Sequence, residues 1–264
     1  MINMNPLFDI ACNFSSSKFD KDLDQVISRA LENNVKKFLI TCSSIDDIEK
    51  VYNIYHEHND KTFFTIGIHP HNAKEVNKKT IVVIDEYIRK MNPHAIGEIG
   101  LDYFRNFSSY EDQSFAFEEQ IKLSIENDLP LYLHQRDSHK DFMKILHKYS
   151  KSINKGVVHC FTGTKSQLND YLDLGLNIGL TGWICDKKRN QELRTSIKDI
   201  PIDKLMIETD CPYLIPKNLT IKTKNNRNEP CYLTHIAKEI SYLMDIPLEE
   251  IHAKTYKNSM DFFS

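Results

Sequence analysis

The sequence predicts an α/β protein of the (β/α)8 TIM-barrel class. Eight short apolar, β-rich runs recur along its 264 residues, each followed by a longer amphipathic or charged stretch. The runs are continuously apolar rather than alternating, the pattern of parallel strands buried on both faces. No glycine-rich dinucleotide turn follows the first run, which sets the barrel ahead of an open doubly wound sheet with the same local pattern.

The first run is Leu7–Asn13. The second, Lys37–Cys42, is followed by Ser44 ahead of Ile45-Asp46-Asp47-Ile48, a helix start with acids in its first turn. Phe63–His69 is the third run and Ala95–Asp102 the fourth, with Ser109 and Asp112 marking the next helix start. Leu131–Arg136 and Gly156–Phe161 follow. The helical stretch Gln167–Leu174 then stops at Gly175, as a C′ glycine would stop it. Asn177–Trp183 and Leu205–Asp210 complete the eight. Pro212–Glu229 is the one long irregular stretch, and helices near Glu229–Met244 and Leu248–Phe262 close the structure. With no long linker or composition shift, residues 1–264 are expected to form a single domain.

Charge and cysteine content narrow the function. With 34 basic and 37 acidic residues, the net charge is −3. That excludes a protein holding nucleic acid by bulk positive charge, but not one with a local basic patch. The six cysteines form no C-x-x-C pair and no disulfide-like spacing, so a reducing cytoplasm is expected. The opening Met-Ile-Asn-Met-Asn-Pro lacks the features of a signal peptide. No apolar run approaches the about 18 residues a membrane span needs. A cytoplasmic monomer with no membrane partner is the expectation.

In a barrel, chemistry gathers at the carboxyl ends of the strands, where inward side chains have period two. Glu98, His134, His159 and Asp210 sit at four such ends, 36, 25 and 51 residues apart. Two imidazoles and two carboxylates around one mouth make a divalent-metal site. The competing reading is four polar groups that satisfy hydrogen bonds in the core. His69 and His71 flank Pro70 after the third strand. His69 is expected to meet substrate, and His71 is either a contact or scaffold. Glu208 shares the parity of Asp210 and would lie below the metal, orienting a histidine or pairing with an inward cation.

Five stretches carry a family resemblance: Gly67-Ile-His-Pro-His71, Ile96-Gly-Glu-Ile-Gly-Leu-Asp102, His159-Cys-Phe-Thr-Gly163, Ile207-Glu-Thr-Asp-Cys-Pro-Tyr213 and Arg227-Asn-Glu-Pro230. In this order and spacing, they resemble the TatD family of metal-dependent deoxyribonucleases, essentially end to end. The resemblance implies an amidohydrolase-type barrel and phosphodiester hydrolysis on DNA, 3′-to-5′ and exonucleolytic in one branch, with RNA as a further substrate. It carries ligand roles to Glu98, His134, His159 and Asp210. The sequence departs from the family at the end of the first strand. Where most members have Asp-x-His-x-His, this chain has Asp9-Ile-Ala11-Cys-Asn13. One tight metal and a second, weaker one are therefore expected, the latter completed by Asn13. Asp9 is expected to be an inward hydrogen-bonding group.

In the expected chemistry, Glu98, His134 and His159 hold a divalent ion that polarises phosphate and activates water. Asp210 takes the proton. His69 and Arg136 stabilise transition-state charge. Two imidazoles suit Zn2+ or Mn2+, whereas magnesium favours oxygen; Mg2+ is the ion expected in assay. Lys217, Lys222, Lys224 and Arg227 lie in an acid-free stretch after strand eight, and Lys222, Lys224 and Arg227 are expected to meet phosphates. Tyr103, Phe104 and Trp183 are candidates to stack on bases. A small-molecule amidohydrolase on the same barrel is the alternative enzyme, and a non-catalytic metal- or nucleic-acid-binding barrel the remote one.

Overall fold

A computed structural model describes residues 5–221, 223 and 226–264. Eight parallel strands pair in chain order: β1 (Leu7–Cys12), β2 (Val35–Ile40), β3 (Thr62–Ile66), β4 (Ala95–Asp102), β5 (Leu131–Arg136), β6 (Gly156–Val158), β7 (Asn177–Leu180) and β8 (Leu205–Ile207). Helices lie between them: α1 (Leu23–Glu32), α2 (Ile45–Glu57), α3 (Lys78–Met91), α4 (Tyr110–Glu126), α5 (His139–Tyr149), α6 (Lys165–Asp173) and α7 (Gln191–Ser196). After β8 come α8 (Leu233–Met244) and α9 (Leu248–Phe263). Among the described residues, no helix is long and apolar enough to cross a membrane.

Local chemistry sets the helix starts. Ser44 Oγ accepts from Asp47 N at 3.3 Å, and Ser109 Oγ from Asp112 N at 3.1 Å. Each satisfies an amide that the first helical turn leaves free. Thr164 and Gln167 form a reciprocal capping box at α6. Gly175, at φ +76°, reverses the chain two residues beyond that helix.

Strands β3, at Ile66, and β7, at Leu180, end before their expected runs do, as do β6 and β8. β6 stops at Val158 and β8 at Ile207, because Cys160 and Asp210 adopt left-handed backbone conformations, φ +48° and +54°. His159 and Asp210 therefore stand just past the ladders, turned toward the mouth. β4 uses another device. Its ladder with β5 shifts register between Ile96 and Ile99, so Ala95 and Glu98 both reach the interior although three residues apart. The backbones of β4 and β5 approach closely here. A Cβ on Gly97 would lie 2.5 Å from Tyr132 O. Gly97→Ala is expected to cost about 2 kcal/mol of stability by overpacking, read as a lower urea midpoint; an unchanged midpoint would refute the close approach.

The barrel interior holds Phe8, Ile10, Leu39, Tyr132, Val157 and Met206, with Phe262 and Phe263 of α9 packed against them. A larger apolar shell fills the space between strands and helices. Among the described residues, the first and last strands form no continuous ladder. They meet through an isolated bridge between Cys12 and Cys211, and through Asn13 N donating to Cys211 O at 2.9 Å. Buried Asp9 adds a carboxylate that accepts from Thr209 N (2.9 Å) and Thr209 Oγ1 (2.5 Å), so it does hydrogen-bond across this seam.

Candidate metal centre and active-site cleft

The four strand-end residues line one cavity of about 840 Å³ at the carboxyl ends of the strands. Glu98 Oε1 lies 2.8 Å from both His134 Nδ1 and His159 Nε2, and these two nitrogens are 3.4 Å apart. Donor atoms around one divalent ion, with bonds of about 2.1 Å, are separated by about 3.0–3.4 Å. The triangle has nearly that size. The remaining ring nitrogens, His134 Nε2 and His159 Nδ1, are buried without a hydrogen-bond partner among the described residues. They face Asp102 Oδ2 at 3.4 Å and Glu208 Oε1 at 3.6 Å. Carboxylates behind imidazoles in this way hold metal-ligating histidines in place. The donor set and its backing therefore fit a divalent ion.

Electrostatics agree with that fit. Burial alone would raise the Glu98 carboxyl, but the imidazoles of His159 and His69 and contacts from His134 and His159 hold it well below the usual range. Burial pushes the Asp210 carboxyl up to about 7; His159 opposes this, and Glu98 and Glu208 add to it. A carboxylate so placed gains from a nearby cation.

Asn13 departs from the expected ligand role. Its Nδ2 donates to Asp210 Oδ1 (3.0 Å) and Cys211 O (3.1 Å), while its Oδ1 accepts from Thr41 Oγ1 at 3.0 Å. The amide oxygen is engaged, so Asn13 fixes the Asp210 carboxylate instead of offering a metal its oxygen. His69 also lines the cavity, with Nε2 3.2 Å from Glu98 Oε1. Its Nδ1 accepts from His71 N at 3.1 Å, which leaves the ring proton on Nε2, directed at Glu98. His71 Nε2 lies 2.9 Å from Asp102 Oδ2, so scaffold is the role its geometry supports.

Arg136 stands at the rim, its guanidinium 3.8 Å from the centroid of Phe104, which is 56% exposed. Tyr103, in contrast, stacks on Tyr110 and bonds Asp141, a packing position. Lys222 and Lys224 lie outside the described residues. Arg227 does not meet the expectation of a phosphate contact. Its side chain is buried, donating to Asp22 Oδ1 and Oδ2 (2.8 and 2.9 Å) and to Glu229 Oε1 (2.7 Å).

Two groups hold roles that sequence reasoning does not assign. Asp102 backs His134, bonds His71 and accepts from Arg105 N. Its place four residues beyond Glu98, at the end of the same strand, is the signal that points to it. The amide of Cys160, donating to Glu208 Oε1, has no sequence signal at all.

A family model described as TatD related DNase matches residues 8–264. The chain belongs to the TatD-related DNase family. A relative from Erwinia tasmaniensis, named 3′-5′ ssDNA/RNA exonuclease TatD, is 40% identical over 98% of this chain and 100% of its own length. The crystal structure of a TatD family hydrolase from Entamoeba histolytica superposes with a TM-score of 0.86 at 31% identity, covering 98% of this chain and 99% of the other. An amidohydrolase from Saccharomyces cerevisiae gives 0.84 at 26% identity, covering 98% and 100%. As a TatD-related DNase, the chain is a hydrolase of phosphodiester bonds, and His69, Glu98 and His134 bring donor atoms close enough to hold an ion, as suits this metal-dependent family.

Within this TatD-type centre, Glu208 accepts from Tyr132 Oη (3.1 Å) as well as from Cys160 N, facing His159 Nδ1. Glu208→Gln is expected to weaken metal affinity about 10- to 100-fold, the usual cost of losing such backing. Competition with a fluorescent chelator measures it, and wild-type affinity in the variant would remove Glu208 from that role.

Proposed function

We propose that the chain is a cytoplasmic, monomeric, single-domain 3′-to-5′ exonuclease that degrades single-stranded DNA, and RNA as well. The observation that carries the chemistry is the convergence of Glu98, His134 and His159 around one point, beside Asp210 in the same cavity. The strand preference and polarity draw support from the Erwinia relative's named activity. Six unpaired thiols favour a reducing compartment.

Glu98 Oε1, His134 Nδ1 and His159 Nε2 would hold a divalent ion: Mg2+ in assay, with Mn2+ or Zn2+ as alternatives, and a second ion bound weakly. Such an ion supplies Lewis acidity at a phosphate oxygen and lowers the pKa of water. Asp210 acts as the base. Asn13 occupies its Oδ1, leaving Oδ2 to orient the attacking water and take its proton. His69 steadies Glu98 through its Nε2 proton. Arg136, with Arg105 and Lys74 on the same cavity wall, binds the phosphate and spreads the charge that develops on it.

The test is a metal titration of cleavage on single-stranded DNA labelled at its 5′ end, beside an RNA of the same sequence. The expected result is a ladder shortening from the 3′ end, lost with chelator and restored by one of the three ions. Cleavage that persists in chelator would overturn the metal centre, and internal cuts alone would overturn the exonuclease reading.

A further inference from the structure

A second cleft, of about 390 Å³, opens beside the reaction cavity. Trp183, Tyr213 and Leu214 line both and form the wall between them. We infer that this second cleft is a nucleotide subsite, holding the nucleotide next to the one being released and guiding the rest of the single strand outward. The inference rests on the nuclease reading above and extends it to a site that reading does not use.

Three observations point to a nucleic-acid strand. The first is charge. Lys18, Arg189 and Lys217 line the cleft, and among the described residues no carboxylate does. The reaction cavity, in contrast, includes Glu98, Asp102 and Asp210 in its lining. On a protein of net charge −3, an acid-free cleft with three cations is a local device for binding anions. The second is aromatic surface. Tyr213 is 51% exposed, with Lys18 Nζ 5.2 Å from its ring centroid. Trp183 is half-buried, and the Arg189 guanidinium lies 4.6 Å from its centroid. Rings beside cations are how single-stranded nucleic acid is held without sequence preference, bases on the rings and phosphates on the charges. Asp186 accepts from Arg189 Nε at 2.7 Å and from Arg189 N at 3.2 Å, and so fixes that side chain beside Trp183. The third is direction. Lys187 and Lys188, next to Arg189, are exposed as well, so positive charge continues outward from this cleft.

The wall residue supplies its own probe, because Trp183 is the only tryptophan in the chain. A base stacked on it would quench its fluorescence. The metal-loaded protein is titrated with phosphorothioate-linked oligothymidylates of increasing length, and with thymidine monophosphate and inorganic phosphate as controls. Quenching is expected from two nucleotides upward and to be weak with the controls. Equal quenching by the monophosphate, or none by any oligonucleotide, would overturn the subsite.

A second measurement uses Lys18→Ala with Lys217→Ala, both exposed positions. Each cation that neutralises a phosphate of a single strand adds roughly 0.7 to the steepness of log affinity against log salt, so removing two should flatten that slope by about 1.4. KM for oligonucleotides should rise about 10-fold relative to KM for a small chromogenic phosphodiester. An unchanged slope and ratio would overturn the charge role. The two readings fail separately. If the metal-loaded protein cleaves neither DNA nor the small diester, the nuclease reading falls. If DNA is degraded while tryptophan fluorescence and salt slope do not respond, only the subsite falls.

Discussion

Replacing Asp210 with asparagine is expected to lower kcat on single-stranded DNA by about 10²-fold or more, the usual contribution of a positioned general base. The substitution preserves size. A carboxamide oxygen can still accept from Asn13 Nδ2, so the link at 3.0 Å that steadies this side chain survives. An amide cannot take a proton from water, however, and the atom opposite Oδ1 becomes a donor. The loss should therefore fall on kcat, with thermal unfolding close to wild type. Elemental analysis should find most of the metal retained, because Glu98, His134 and His159 remain. His134→Ala would differ by losing metal and activity together. Wild-type kcat in Asp210→Asn would mean the base lies elsewhere.

Arg227→Ala is expected to destabilise the fold by about 3 kcal/mol, because it breaks a buried ion pair by removing one side of it. The guanidinium is 4% exposed and bridges Asp22 and Glu229, which are 11% and 2% exposed. Arg29 also meets Glu229, at 2.8 Å, and keeps part of that carboxylate's charge balanced. The same arginine approaches Asp22 at 3.8 Å. Arg227→Lys should recover part of the loss, since an ammonium cannot reproduce the forked contact with both Asp22 oxygens. Urea unfolding measures both variants. A loss under about 0.5 kcal/mol, the size of an ordinary surface change, would show that the cluster contributes little.

Arg227 also marks where the sequence misleads. Its stretch reads as a solvent-facing basic run because no acid lies between Lys217 and Arg227. One partner is two residues ahead, but the other is 205 residues back in the chain, and such pairing has no local pattern. Asn13 misleads for a related reason. Residue type shows that an amide is a weak ligand, but which way the amide points depends on Thr41 and Asp210, contacts made only in the folded barrel. Glu98, His134 and His159 are legible because strand ends in a barrel converge by topology, whatever the side chains are. The bounds of β4 and β5 are legible from their apolar runs. Those of β6 and β8 are not, since nothing in His159-Cys160 or Thr209-Asp210 announces a left-handed residue.

The seam between the first and last strands has a consequence for when the enzyme becomes active. Asn13 and Asp210 are 197 residues apart, as Asp9 and Thr209 are 200 apart. During synthesis, β1 leaves the ribosome long before β8 exists, and contacts this distant in sequence form late in folding. Until they form, Asp210, the proposed base, has neither its amide clamp nor its place in the cavity shared with Glu98, His134 and His159. A nascent or partly unfolded chain thus carries most of the donor atoms but no assembled nuclease. Assembly of the proposed centre therefore waits until the barrel has joined end to end.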